Sequence, residues 1–177
     1  MLKKTAMRIY LIGYSYSGKT TLGRETARRL GVQFFDTDKA IELKYHTSIP
    51  TFFSHYGEQA FRIIERQILQ STSDMDHVIV STGGGTPCND DNIRFILSHG
   101  TAIHLQMSVD DIMNRIAHAH RTRPLLKDKT PDEVRRFITD QLQQRLPYYT
   151  QAPLTLPAFG ATAEQLIKLL TDNKIAI

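Results

Sequence analysis

The chain has 177 residues, 41% hydrophobic and 23% charged, with a net charge of +4 and a single cysteine, Cys88. These values predict one globular domain over residues 1–177. They exclude a disordered chain and any disulfide within it. The positive balance suits nucleic acid or anionic small molecules. Because the basic residues are dispersed and no nucleic-acid-binding pattern is present, an enzyme with anionic substrates is favoured, with no nucleic-acid partner.

The opening MLKKTAMRIYLIG holds too few apolar residues for a signal segment or a membrane span. With the lone thiol, this predicts a soluble, cytoplasmic protein with no membrane partner. A first strand is expected at Arg8–Ile12, then a glycine-rich turn and a helix opening at Lys19. Further strands are expected at Gln33–Phe35, Val78–Ser81, Ala102–Gln106 and Leu154–Leu156. Helical patterns fall between them, at about Asp38–Tyr45, Glu58–Gln70, Asn89–His99 and Val109–His118. Thr130-Pro131-Asp132-Glu133 and Thr162-Ala163-Glu164-Gln165 each carry the signature of a capped helix start. The intervening AHRTRPLLKDK, residues 119–129, is polar and basic and is long enough, at roughly 11 residues, to act as a lid. Strands alternating with helices predict an α/β fold with a parallel sheet.

Gly13-Tyr14-Ser15-Tyr16-Ser17-Gly18-Lys19-Thr20 matches G-x-x-x-x-G-K-[ST], with an apolar strand running in and a helix running out. Such a loop presents main-chain N–H groups and a helix N-terminus to phosphate. Lys19 would reach the β/γ-phosphates of a nucleotide, and the Thr20 hydroxyl would hold Mg²⁺. Tyr16 is unusual in such a loop. A bulky residue with φ > 0 is strained, so the expectation is an allowed backbone there, with the ring turned away from the phosphates.

The segment FFDTDKAIE puts Asp36 and Asp38 at the end of the second strand, the edge where open parallel sheets bind ligands. Alternate residues of an extended chain point the same way, which would turn both carboxylates toward the phosphates. Arg62 stands in a helical pattern with Glu58 and Glu65, consistent with surface ion pairs. Arg145 falls on the apolar face of the helix after Pro131, where a charge needs a protein carboxylate or a bound anion. Arg123 lies in the expected lid, where a mobile arginine could reach a transferring phosphoryl group. Gly83-Gly84-Gly85 follows a buried strand and lets backbone N–H groups approach a ligand.

Taken in order, GYSYSGKT, DTD, FRIIE, GGG, RPLL and RLPYY resemble the shikimate kinase family over nearly the whole chain. The resemblance implies a nucleoside monophosphate kinase-like P-loop fold: a five-stranded parallel sheet between helical layers, substrate-binding helices over about 38–70 and a lid over about 119–129. It implies a transferase that moves the γ-phosphoryl group of ATP to the 3-hydroxyl of shikimate, with one Mg²⁺, on the route to chorismate and the aromatic amino acids. It also implies a monomer with ATP and shikimate as its partners.

By the same resemblance, Lys19, Asp38 and Arg123 are catalytic. Tyr16, Ser17, Gly18, Lys19, Thr20, Thr21, Arg123 and Arg115 bind ATP, with Arg115 similar to an adenine-stacking arginine. Thr20 and Asp36 hold the metal, Asp36 through water. Asp38 binds the acceptor hydroxyls, Arg62 and Arg145 clamp the acid's carboxylate, and Gly83, Gly84 and Gly85 line its site. The sequence departs from the family where Tyr16 replaces a usual glycine, and where LPAFGAT replaces a polar stretch near the adenine.

Overall fold

The structure, a computed structural model, describes residues 7–118 and 129–175. Five strands, β1 (Arg8–Ile12), β2 (Gln33–Asp36), β3 (Val78–Ser81), β4 (Thr101–Gln106) and β5 (Leu154–Pro157), form one sheet in the order β2-β3-β1-β4-β5. Every neighbouring pair is parallel. The central strands β1 and β3 are buried on both faces, which explains their unbroken apolar runs YLI and VIV. The outer strands β2 and β5 are less buried and more polar.

Among the described residues, six α-helices connect the strands and a seventh follows β5: α1 (Lys19–Leu30), α2 (Thr37–Tyr45), α3 (Ile49–Gln70), α4 (Asp90–His99), α5 (Val109–Ala117), α6 (Pro131–Tyr149) and α7 (Ala163–Asp172). Their ends follow local chemistry. Thr130 and Thr162 head full capping boxes with Glu133 and Gln165, as their spacing predicts. The chain between α1 and β2 turns on Gly31, whose φ of 66° closes the helix with a left-handed residue.

Two expectations need correction. Helix α3 starts at Ile49, nine residues before the expected Glu58, and breaks at Gly57 (φ 77°, ψ 174°). Its first segment is capped by Ser48, whose hydroxyl accepts from Thr51 N–H, with Pro50 in the first turn. That segment is short and rich in weak helix formers, and it is held by Phe52. Phe52 packs with Ile41, Phe61 and Ile68 in a second cluster separate from the main core around the sheet. Asp38 is also not on an extended chain. Asp36 ends β2 and itself caps α2, accepting from Lys39 N–H at 3.0 Å, so Asp38 lies in the first helical turn.

Of the expected lid, residues 119–128, including Arg123, lie outside the described residues. Among the described residues, no helix is long and apolar enough to cross a membrane.

The N-terminal edge of the sheet is stapled by Arg8, which donates to the carbonyls of Met75, His99 and Ser73. Gly100 joins α4 to β4 directly beneath this staple. A Cβ there would run into the Arg8 carbonyl oxygen and lie 2.8 Å from Tyr10 Cε2. A backbone carbonyl paired into the sheet cannot yield as a side-chain tip can. Gly100→Ala is therefore expected to cost about 2 kcal/mol, read as a lower urea midpoint at unchanged m-value.

Candidate phosphoryl-transfer site

The loop between β1 and α1 closes around Lys19. Gly13 has φ 141° and sits so close to β4 that a Cβ would lie 2.6 Å from the Leu105 carbonyl oxygen. Only glycine meets both conditions. The Lys19 ammonium is buried and donates to the carbonyls of Gly13 (2.9 Å) and Tyr14 (2.8 Å), with the Ser17 hydroxyl at 3.3 Å. Next along α1, the exposed Thr20 hydroxyl donates to Asp36 Oδ2 at 2.6 Å and meets the Ser81 hydroxyl at 3.3 Å. Parallel pairing explains that meeting, because Asp36 and Ser81 are register partners at the ends of β2 and β3.

Tyr16 departs from expectation. Its φ is 68°, in the left-handed region, which costs a non-glycine residue about 1–2 kcal/mol. A glycine would adopt the same backbone without that cost. The side chain packs against the main core, which offsets part of that cost. The backbone is also held from outside. Arg115, in the last turn of α5, donates to the Tyr16 carbonyl at 2.6 Å and to the Ala158 carbonyl at 2.8 Å. It thus ties the phosphate loop to the segment after β5, and it approaches Gly18 so closely that a Cβ there would lie 3.0 Å from its Nη1.

Each glycine of the triple run faces a different part of the site. A Cβ on Gly83 would lie 2.6 Å from Asp38 Oδ1, one on Gly84 2.9 Å from Ser15 Oγ, and one on Gly85 3.1 Å from Arg62 Nη1. The run is therefore a crossing point of α2, the phosphate loop and α3. The Gly83 N–H already donates to the Thr37 hydroxyl, so it is committed within the protein and is not the exposed donor expected of it. Arg145 Nη1 stands 3.5 Å from the same Gly84 position. Both arginines thus border adjacent glycines although they lie on α3 and α6.

Lys19, Thr20, Thr21, Asp36, Asp38 and Gly84 line one cavity together with Tyr16 and Gly18. Arg62 and Arg145 flank its glycine wall, and Arg115 lies on the far side of the loop.

Electrostatics follow burial. Burial opposes the charge on Arg62, but the carboxylates of Glu65 (2.7 Å) and Glu58 (3.0 Å) outweigh it and hold its pKa above the ordinary range. Glu65 is itself buried and accepts from the Thr86 hydroxyl at 2.6 Å. Burial raises the Cys88 thiol and the Tyr149 phenol, and that phenol donates to the Gly84 carbonyl at 2.6 Å. On β4, burial and then the Lys19 charge push His104 down to about 4.

Comparison with known proteins adds the family. The family model described as Shikimate kinase matches residues 16–172. The chain belongs to the shikimate kinase family. A curated shikimate kinase from Parabacteroides distasonis is 42% identical over 168 residues, 95% of this chain and 92% of that protein. The solved shikimate kinase from Bacteroides thetaiotaomicron superposes with a TM-score of 0.88 at 37% identity, covering 93% of this chain and 98% of its own. The Acinetobacter baumannii shikimate kinase, solved in complex with shikimate, gives 0.83 at 32% identity over 97% of each chain.

Within this shikimate kinase fold, several residues outside the candidate set also meet in the site. Ser15 abuts Gly84, Thr37 receives the Gly83 N–H, and Ser81 faces Thr20. Ser81 and Thr37 could have been found from position alone, since each ends a strand or opens a helix at the ligand edge. His104 could not, because a histidine in a strand pattern has no visible neighbour.

His104 has a consequence for stability. Below its ordinary pKa of 6.5 the unfolded chain takes up a proton that the folded chain refuses until about pH 4. Stability is therefore flat above pH 6.5 on this account and falls as pH drops from 6.5 toward 4, by up to about 3 kcal/mol. His104→Gln is expected to flatten that part of the pH–stability curve, measured by urea unfolding at each pH.

Proposed function

We propose that this chain transfers the γ-phosphoryl group of ATP to the 3-hydroxyl of shikimate, giving shikimate 3-phosphate and ADP. The observation that carries this reading is one cavity with a phosphate loop on one wall, Asp38 on another, and two arginines of different helices beside its glycine wall. A planar carboxylate held by two guanidinium groups is recognised in both position and orientation, which two unrelated surface arginines would not achieve.

The residue roles follow from chemistry. The loop and the α1 N-terminus receive the phosphates, with Tyr16, Ser17, Gly18, Lys19, Thr20 and Thr21 on the nucleotide side and Arg115 at the base. Arg123 belongs to the lid and is assigned to ATP on its sequence alone. Arg62, Arg145 and the Gly84–Gly85 backbone receive the acid. Asp38 accepts the hydrogen of the acceptor hydroxyl and takes its proton as that oxygen bonds to the γ-phosphorus. The bond from that phosphorus to the β–γ bridging oxygen breaks, and ADP departs with the electron pair.

For the metal, the relevant oxygens are the Thr20 hydroxyl and Asp36 carboxylate, 2.6 Å apart beside the phosphate loop. Among the described residues no cluster of three or more histidine, cysteine or carboxylate groups could hold an ion. A few hard oxygens fit Mg²⁺, which keeps several waters and takes the rest of its shell from phosphate. When bound there, Mg²⁺ supplies neutralisation of the charge on the transferred phosphoryl group. The protein is further read as a cytoplasmic monomer with no nucleic-acid or membrane partner.

A panel of acceptors in a coupled ADP-release assay tests the reading. Shikimate is expected to turn over fastest. Faster turnover of gluconate or a nucleoside monophosphate would overturn it. ATP binding with no turnover of any acceptor would reduce the protein to a nucleotide-binding module. Lys19→Ala and Asp38→Asn are expected to lower kcat by about 10²–10⁴-fold. Arg145→Ala should weaken shikimate by about 2–5 kcal/mol while leaving the KM for ATP little changed. An equal loss for both substrates would count against the acid-binding assignment.

A further inference from the structure

We infer that Tyr14 is a positioning residue for the acceptor site: its ring fixes the Arg145 guanidinium where the acid's carboxylate is received. The inference rests on the reading of Arg145 as an acid-binding residue and adds what holds that arginine in place.

Tyr14 is the second residue of the phosphate loop, yet it is buried and belongs to the main core. Its ring reaches α6 at two points. The phenol hydroxyl donates to Gln141 Oε1 at 2.8 Å, and Arg145 Cζ lies over the ring, 5.3 Å from its centroid. Gln141 and Arg145 are four residues apart, so they share one face of the helix. One aromatic side chain thus grips that face across a full turn.

The arginine needs such a support. Among the described residues, none of its ion pairs with a carboxylate is found, in contrast to Arg62, which Glu58 and Glu65 hold from within its own helix. A guanidinium resting on an aromatic face is restrained by a contact that uses none of its N–H donors. Arg145 also interacts with the Tyr149 phenol, where burial disfavours ionisation and the Arg145 charge and hydrogen bond favour it. Its Nη1 is already turned toward the Gly84 position.

The other end of Tyr14 is fixed just as firmly. Its carbonyl accepts from Lys19 Nζ at 2.8 Å and from Ser17 N–H at 3.2 Å. The lysine on the phosphate side and the arginine on the acid side are therefore both referenced to a single residue. Its side chain meets Gln141 and Arg145 on the acid side, and its main chain meets Lys19 and Ser17 on the phosphate side.

Calorimetric titration of shikimate and, separately, of ADP tests this on the full chain. Tyr14→Leu, which keeps apolar volume but removes the ring face, is expected to raise the Kd for shikimate about 3–10-fold and to leave that for ADP unchanged. Tyr14→Phe, which restores the face but not the phenol bond to Gln141, should recover most of that loss, bringing the shikimate value to within about 2–3-fold of the unaltered protein. In an Arg145→Gln background, Tyr14→Leu should weaken shikimate no further. The inference is overturned if Tyr14→Leu spares shikimate, if it weakens both ligands alike as a general loosening of the fold would, or if its effect survives in Arg145→Gln. If Arg145→Gln alone leaves shikimate binding intact, the acid-binding reading itself fails. Should Tyr14→Leu not fold, Gln141→Leu releases the phenol from α6 without touching the loop. A rise of about 2–3-fold in the shikimate Kd is then expected, and no rise overturns the inference.

Discussion

The buried ammonium of Lys19 is the constraint on which the rest of the site depends. A charge removed from water must be surrounded by oxygen, and the nearest oxygens are the first carbonyls of its own loop, Gly13 and Tyr14. Satisfying it closes the loop on itself at the start of α1. Gly13 must then pass against the Leu105 carbonyl of β4, where no side chain fits. The sheet and the loop are consequently one unit: the order β3-β1-β4 supplies the walls between which the loop closes.

The second half of the site is built outward from that loop. Ser15 meets Gly84, so the glycine run following β3 is packed against the phosphate loop. Tyr149 anchors the same run from α6 through the Gly84 carbonyl, and Glu65 anchors it from α3 through Thr86. Arg62 and Arg145 inherit their positions from these supports. Two substrates bound against shared walls meet with much of their translational and orientational entropy already lost, which is the main contribution a phosphotransferase scaffold can make.

Local chemistry was legible wherever a signal and its consequence lie within a few residues. The apolar runs of β1 and β3, the capping boxes at Thr130 and Thr162, and the strand–loop–helix around Lys19 all occur where their patterns place them. The acidic pair shows the limit of such reasoning. Asp36 and Asp38 do line one cavity, but not as alternate residues of a strand, since Asp36 turns into an N-cap and Asp38 opens a helix. The first segment of α3 carries no strong helical propensity; Phe52 holds it by packing with Ile41 of α2 and with Phe61 and Ile68 beyond the break at Gly57. At Tyr16, closure of the loop imposes φ 68° on a residue that would not choose it.

The sequence by itself determined the parallel α/β plan, the phosphate loop, the order of the site motifs and, through that order, the family. All of these are written in spacings along the chain. Only the tertiary structure decided which groups meet: Thr20 with Asp36, Ser15 with Gly84, and the ring of Tyr14 with Arg145, 131 residues further along the chain. The physical reason is that a side chain's partners are set by how helices pack across a sheet. Spacing places a residue on a face of its own element but cannot name the residue that comes to cover that face.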